Sequence, residues 1–250
     1  MNLEGYFKLL GSLFAIFMIY ILPLVFFLKT IFIEKNSKLI KMLVTISYII
    51  LFFLLPELYT NILPFILIIF IIISWRNFKN RNEDYITYEF SLSNFKMSKG
   101  IKYVVINYGL VYLCSIIWYM VLASFNIPIE QQDVVNTLSS YDLVSFITTI
   151  PSTVVFAPVV EEFVFRYMFY GKLLRKRLRG KLGFIISAAI TSILFASLHF
   201  SVSAFVTLFV ISFFNCYLVE KKGFWYPVFV HLIFNGFTTS ILLLQKIILY

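Results

Sequence analysis

Charge is scarce in this chain. Only 13% of its 250 residues are charged, 61% are hydrophobic, and the mean hydropathy is +0.92. A soluble domain is about 45–50% apolar, so the composition excludes a water-soluble globule and indicates an integral membrane protein. Cysteine is limited to Cys114 and Cys216, both in apolar segments and without metal-ligand spacing, which reads as two buried thiols. Histidine is limited to His199 and His231. No Walker loop, G-x-S-x-G, H-E-x-x-H or C-x-x-C pattern occurs, and there is no internal repeat, low-complexity tract or Gly/Ser linker. The short alternating segments of a transmembrane barrel are also missing, so the long apolar runs predict helices.

What is there is a series of apolar runs. Hydropathy predicts an all-α, polytopic membrane bundle of about eight spans, near 9–28, 42–55, 62–75, 103–125, 143–170, 182–200, 202–219 and 224–244. The second and third are short and share a Pro56-Glu57 turn, as a hairpin that does not fully cross would. The N-terminus carries Glu4 and Lys8 and no small-x-small cleavage site, so it reads as a first retained span. Polar groups within the apolar runs are few before Ala157 and cluster after it. Residues 1–102 therefore read as membrane scaffold and 103–250 as the functional core.

The net charge of +9 does not point to nucleic acid, because the basic residues lie between apolar runs. All but Lys8, Arg166 and Lys246 fall in the segments 29–41, 76–102, 172–181 and 220–223. With eight alternating spans these lie on one side, where they would face anionic lipid. The positive-inside rule then makes them cytoplasmic and puts both termini outside. Trp75, Trp225 and Tyr226 stand at span ends as interfacial anchors would, and 76–102 reads as an ordered or amphipathic loop.

Three polar islands interrupt the second half. The first is Glu161-Glu162-Phe-Val-Phe-Arg166, where Glu162 and Arg166 share a helical face and Glu161 points elsewhere. Arg166 can hold Glu162 ionised, leaving Glu161 to face a cavity as a general base. The same residues fit a structural ion pair with Glu161 merely solvated. The second island is His199, at i+4 from Phe195, either functional or a hydrogen-bonded helix-end residue. The third is the i, i+4 pair His231 and Asn235 in the last span, which could equally glue two helices together. Residue counts do not place the islands at one depth. His231 lies about 12 Å of helix from its basic turn and His199 about 27 Å from Lys181.

On these residues the chain resembles the CAAX protease and bacteriocin-processing family of intramembrane proteases, also called Abi. The family pattern E-E-x-x-x-R, F-x-x-x-H and H-x-x-x-N stands here as Glu161-Glu162 to Arg166, Phe195 to His199, and His231 to Asn235. The run from Gly223 through Trp225 to Pro227 also looks like the approach to the last motif.

The resemblance implies an endopeptidase acting on a membrane-associated peptide or protein, in a multi-pass protein of the cell membrane. Glu161, assisted by His199, would activate water, and His231 with Asn235 would donate hydrogen bonds to the oxyanion. Glu162 and Arg166 would orient the first of these helices. No cofactor is expected on this mechanism. The alternative is a zinc enzyme with Glu161, His199 and His231 as ligands. A chain rich in Ile, Phe, Lys and Asn fits an AT-rich bacterial genome, and hence bacteriocin processing, self-immunity or peptide signalling. A non-enzymatic scaffold or immunity factor is the competing class.

Overall fold

A computed structural model of the chain describes residues 3–31, 38–56, 59–77 and 90–249. Among them the regular structure is helical, without strands. The elements are α1 (Leu3–Ile16), α2 (Leu22–Ile31), α3 (Lys38–Leu54), α4 (Ile62–Asn77), α5 (Met97–Ser124), α6 (Asp133–Ser140), α7 (Leu143–Pro151), α8 (Ala157–Glu162), α9 (Gly180–Ser197), α10 (Phe205–Lys222) and α11 (Trp225–Leu249). The all-α membrane bundle expected from composition is what the chain forms.

Five helices among the described residues are long and apolar enough to cross a membrane: Gly5–Thr30, Met97–Ser124, Leu143–Arg175, Gly180–Ser197 and Trp225–Ile248. The expected count of eight is not reached by this measure. α3 has 17 residues and α4 has 16, while α10 carries Glu220, Lys221 and Lys222 in its last turn. Glu57 of the expected turn and residues 78–89 of the loop 76–102 lie outside the described residues, as do Lys35 and the side chain of Trp75. The short helix α6 was not expected from hydropathy.

Two compact units divide the chain. One comprises Met1–Glu83 and Thr149–Val164, the other Asp84–Thr148 and Phe165–Tyr250. In the first, α4 buries Leu63, Leu67, Ile68, Ile71 and Ile72, an i, i+4 stripe, against α2 and α8. Phe65 packs on Phe156 at 4.4 Å between ring centres, and Phe26 on Phe163 at 6.0 Å.

Two π-helical stretches in this unit have a common cause. Phe17–Ile21 runs into Pro23, and Ser152–Phe156 into Pro158. A proline has no N–H to give the carbonyl one turn back, so the ladder slips to i→i−5 bonds. Leu22 N–H accordingly donates to Phe17 O, and Ala157 N–H to Ser152 O. Side chains serve the disturbed backbone. The Tyr48 hydroxyl donates to Tyr20 O (3.0 Å), and the Thr153 hydroxyl to Thr149 O (3.2 Å).

In the second unit α10 packs against α5, α9 and α11. α5 and α10 are antiparallel, since Tyr103 meets Phe214 (6.4 Å) while Ser115 bonds Thr207 (2.6 Å). The start of α11 is tied to the segment before α5. The Trp225 indole donates to Phe90 O (2.7 Å), and Lys96 N–H donates to the Tyr226 hydroxyl (3.0 Å). Gly100 makes this approach close, because a Cβ there would stand 2.9 Å from the Phe229 ring and the ring would have to shift.

Arg175 stands apart from the other basic residues of 172–181. It is 5% exposed, and its guanidinium grips Glu220 through Nε (2.8 Å) and Nη2 (3.0 Å). It also donates to Leu178 O, and the Tyr170 hydroxyl donates to Glu220. This closes the turn between a π-helical stretch, Phe163–Arg175, and α9, whose first residue Gly180 has φ +74°. Burial alone would raise the Glu220 carboxyl pKa. The hydrogen bonds from Arg175 and Tyr170 and the charges of Arg175 and Lys221 outweigh it and hold the pKa below the ordinary value.

Two predictions follow from the closed turn. Gly183→Ala would put a Cβ 2.4 Å from Leu178 O, a backbone atom that cannot step aside. The melting temperature in detergent should fall by an amount equivalent to about 1–3 kcal/mol. Because the Glu220 pKa is lowered by folding, its stabilising contribution is complete above the unfolded carboxylate value and lost as pH falls through the folded one. Melting curves of Glu220→Gln should therefore lose part of the acid sensitivity seen in the unsubstituted chain.

Candidate active site

Phe195 is the centre of the polar islands in the second unit. It lies in the last helical turn of α9 and is 1% exposed. Its ring is 4.7 Å from the His199 imidazole and 5.9 Å, edge-on, from that of His231. The Arg166 guanidinium carbon lies 4.8 Å from the ring centre, and Phe165 meets it edge-on at 5.2 Å. One phenyl ring thus touches side chains from each of the three motifs. A fully buried guanidinium over an aromatic face is a favourable cation–π geometry.

His199 is not on the helix, as the expected span 182–200 had it. α9 ends at Ser197, and His199 sits in the turn beyond, where Phe200 takes φ +49°. The position explains its hydrogen bond. The last carbonyls of a helix lack intrahelical donors, and His199 Nδ1 lies 2.8 Å from Phe195 O. A carbonyl can only accept, so in the neutral ring Nδ1 carries the proton and Nε2 is the basic nitrogen. The bond that caps the helix therefore also fixes the tautomer.

The depth mismatch counted from the sequence is not present, since a single ring touches both imidazoles. His231 is 6% exposed on α11, and Asn235 is half-buried one turn further along. The Asn235 carbonyl accepts from the Thr239 hydroxyl at 2.8 Å.

Glu161 and Glu162 end α8 in the first unit, the former half-buried and the latter fully buried. The π-helical stretch that follows them begins at Phe163 and carries Arg166. Interruptions of this kind are frequent at functional sites. The pairing of Glu162 with Arg166 remains an expectation from sequence. Among the described residues no group of three His, Cys, Asp or Glu side chains is arranged to hold a metal ion, so the zinc alternative rests on residue types alone. Sequence reasoning missed Phe165, whose apolar character gave no signal among its neighbours.

A helical membrane protein with an arginine and two histidines gathered on one phenylalanine is a candidate membrane-embedded hydrolase. Residues 143–237 match the family model of Rce1-like proteins, described as type II CAAX prenyl endopeptidase Rce1-like. The match takes in all three motifs and shows the resemblance to the CAAX protease family over that stretch. The matched stretch covers less than half of the chain. No curated protein and no solved structure matches the chain.

Phe195→Ala should remove the shared support of Arg166, His199 and His231. A loss equivalent to about 3–5 kcal/mol is expected in thermal unfolding in detergent. Phe195→Leu should lose less stability, yet still lower turnover if the ring orients the imidazoles.

Proposed function

We propose that the chain cleaves a peptide bond in a membrane-associated peptide or protein by water activated at a glutamate. Glu161 is the general base, assisted by His199 Nε2, and it takes a proton from the attacking water. His231 and Asn235 donate hydrogen bonds to the oxyanion that forms on the scissile carbonyl. Glu162 and Arg166 hold the first helix in register. The observation that carries this reading is the convergence of Arg166, His199 and His231 on Phe195 inside the family-matched stretch. The composition supports a bacterial source, with a role in bacteriocin processing, self-immunity or peptide signalling, and the basic segments support a cytoplasmic face for 29–41, 76–102, 172–181 and 220–223.

The test uses the full chain in proteoliposomes, together with a farnesylated, fluorescence-quenched peptide ending in Cys-Val-Ile-Met and a library of membrane peptides. Glu161→Gln should lower kcat by about 10²–10⁴-fold while the protein stays folded in the membrane. Asn235→Ala should lower kcat by about 10²–10³-fold with little change in KM. Full activity in Glu161→Gln would overturn the reading. Loss of cleavage on adding a strong chelator, restored by zinc, would replace it with the metal mechanism through Glu161, His199 and His231. Retention of the cellular phenotype in all four variants of Glu161, His199, His231 and Asn235 would favour a non-enzymatic scaffold.

A further inference from the structure

The outer face of α10 carries an apolar groove that the proposed chemistry does not use. Its volume is about 400 Å³, within the usual range for ligand sites. It is floored by Phe209, Val210, Phe213, Phe214 and Tyr217 of α10 and walled by Leu110 of α5 and Phe184 of α9. From Phe209 to Tyr217 the floor runs about 12 Å along the helix.

Each of the three helices carries a lysine at the same end of this groove. On α10 the stripe Phe209, Phe213, Tyr217 continues four residues on to Lys221. On α9 Lys181 stands three residues before Phe184, one turn away. On α5 the stripe Leu110, Ile106 leads back to Lys102. The antiparallel α5 and α10 bring the start of one to the end of the other. Arg175, which bonds both Glu220 and Gly180 O, does the same for α9 and α10. All three lysines are exposed. The one carboxylate beside them on α10, Glu220, is already held by Arg175 and Tyr170.

We infer that this groove binds one acyl chain of an anionic phospholipid whose headgroup sits among Lys102, Lys181 and Lys221. An aromatic trough inside the apolar layer matches a hydrocarbon tail. A cluster of ammonium groups where the helices leave that layer matches a phosphate at headgroup level. A zwitterionic lipid would fill the same trough without the net attraction.

The test is delipidated full-length protein in dodecyl maltoside, titrated with dioleoyl phosphatidylglycerol or dioleoyl phosphatidylcholine. Bound lipid is counted by native mass spectrometry and melting is followed in parallel. Phosphatidylglycerol should be retained more tightly and raise the melting temperature more. Changing Lys102, Lys181 or Lys221 to Gln should weaken its binding about fivefold each. Val210→Trp, which fills the trough, should abolish the preference while leaving the lipid-free melting temperature unchanged. Leu110→Trp on the opposite wall serves if that variant does not fold. Equal retention of the two lipids, unchanged retention in the tryptophan variants, or equal stabilisation by glycerol 3-phosphate alone would overturn the inference.

Discussion

One aromatic ring holds the polar side of this molecule together. A buried guanidinium and two imidazoles are expensive groups to remove from water, and each needs a fixed neighbour. Phe195 gives all three the same neighbour. The ring is itself immobilised by Phe165 and by its place in the last turn of α9. Its own carbonyl fixes the tautomer of His199. Side chain and backbone of a single apolar residue thus position groups drawn from three separate segments.

The helical membrane class was legible in composition, and the apolar helices were legible in hydropathy, although five rather than the expected eight are long and apolar enough to cross a membrane. Their ends were less so. Gly180 and Gly223 mark turns where the backbone takes positive φ, which the sequence advertises. The end of α9 at Ser197 carries no such mark, so His199 was placed on the helix rather than after it. The i, i+4 spacing of Phe195 and His199 was sufficient to foresee their contact, because the turn beyond the helix keeps that distance short. It was not sufficient to foresee His231 on the same ring, since that depends on how helices tilt and slide.

Charge counting was least able to separate roles. Arg175 is indistinguishable in sequence from its neighbours in the run of basic residues from Lys172 to Lys181. In the fold it is buried, where Glu220 near the end of α10 and the carbonyl of Leu178 accept its hydrogen bonds. The π-helical stretches are a similar case. Two lead directly into Pro23 and Pro158 and have a cause in local chemistry. The third, Phe163–Arg175, contains no proline and follows directly on the paired glutamates.

The last helix is moored at both extremities. Trp225 and Tyr226 fasten its beginning to residues 90–96. Near its close, Lys246 donates to the carbonyls of Ser139 and Tyr141 and lies over the Phe146 ring. A rod pinned at either tip cannot piston along its own axis. His231 and Asn235, carried between those pins, are thereby given a constant axial address.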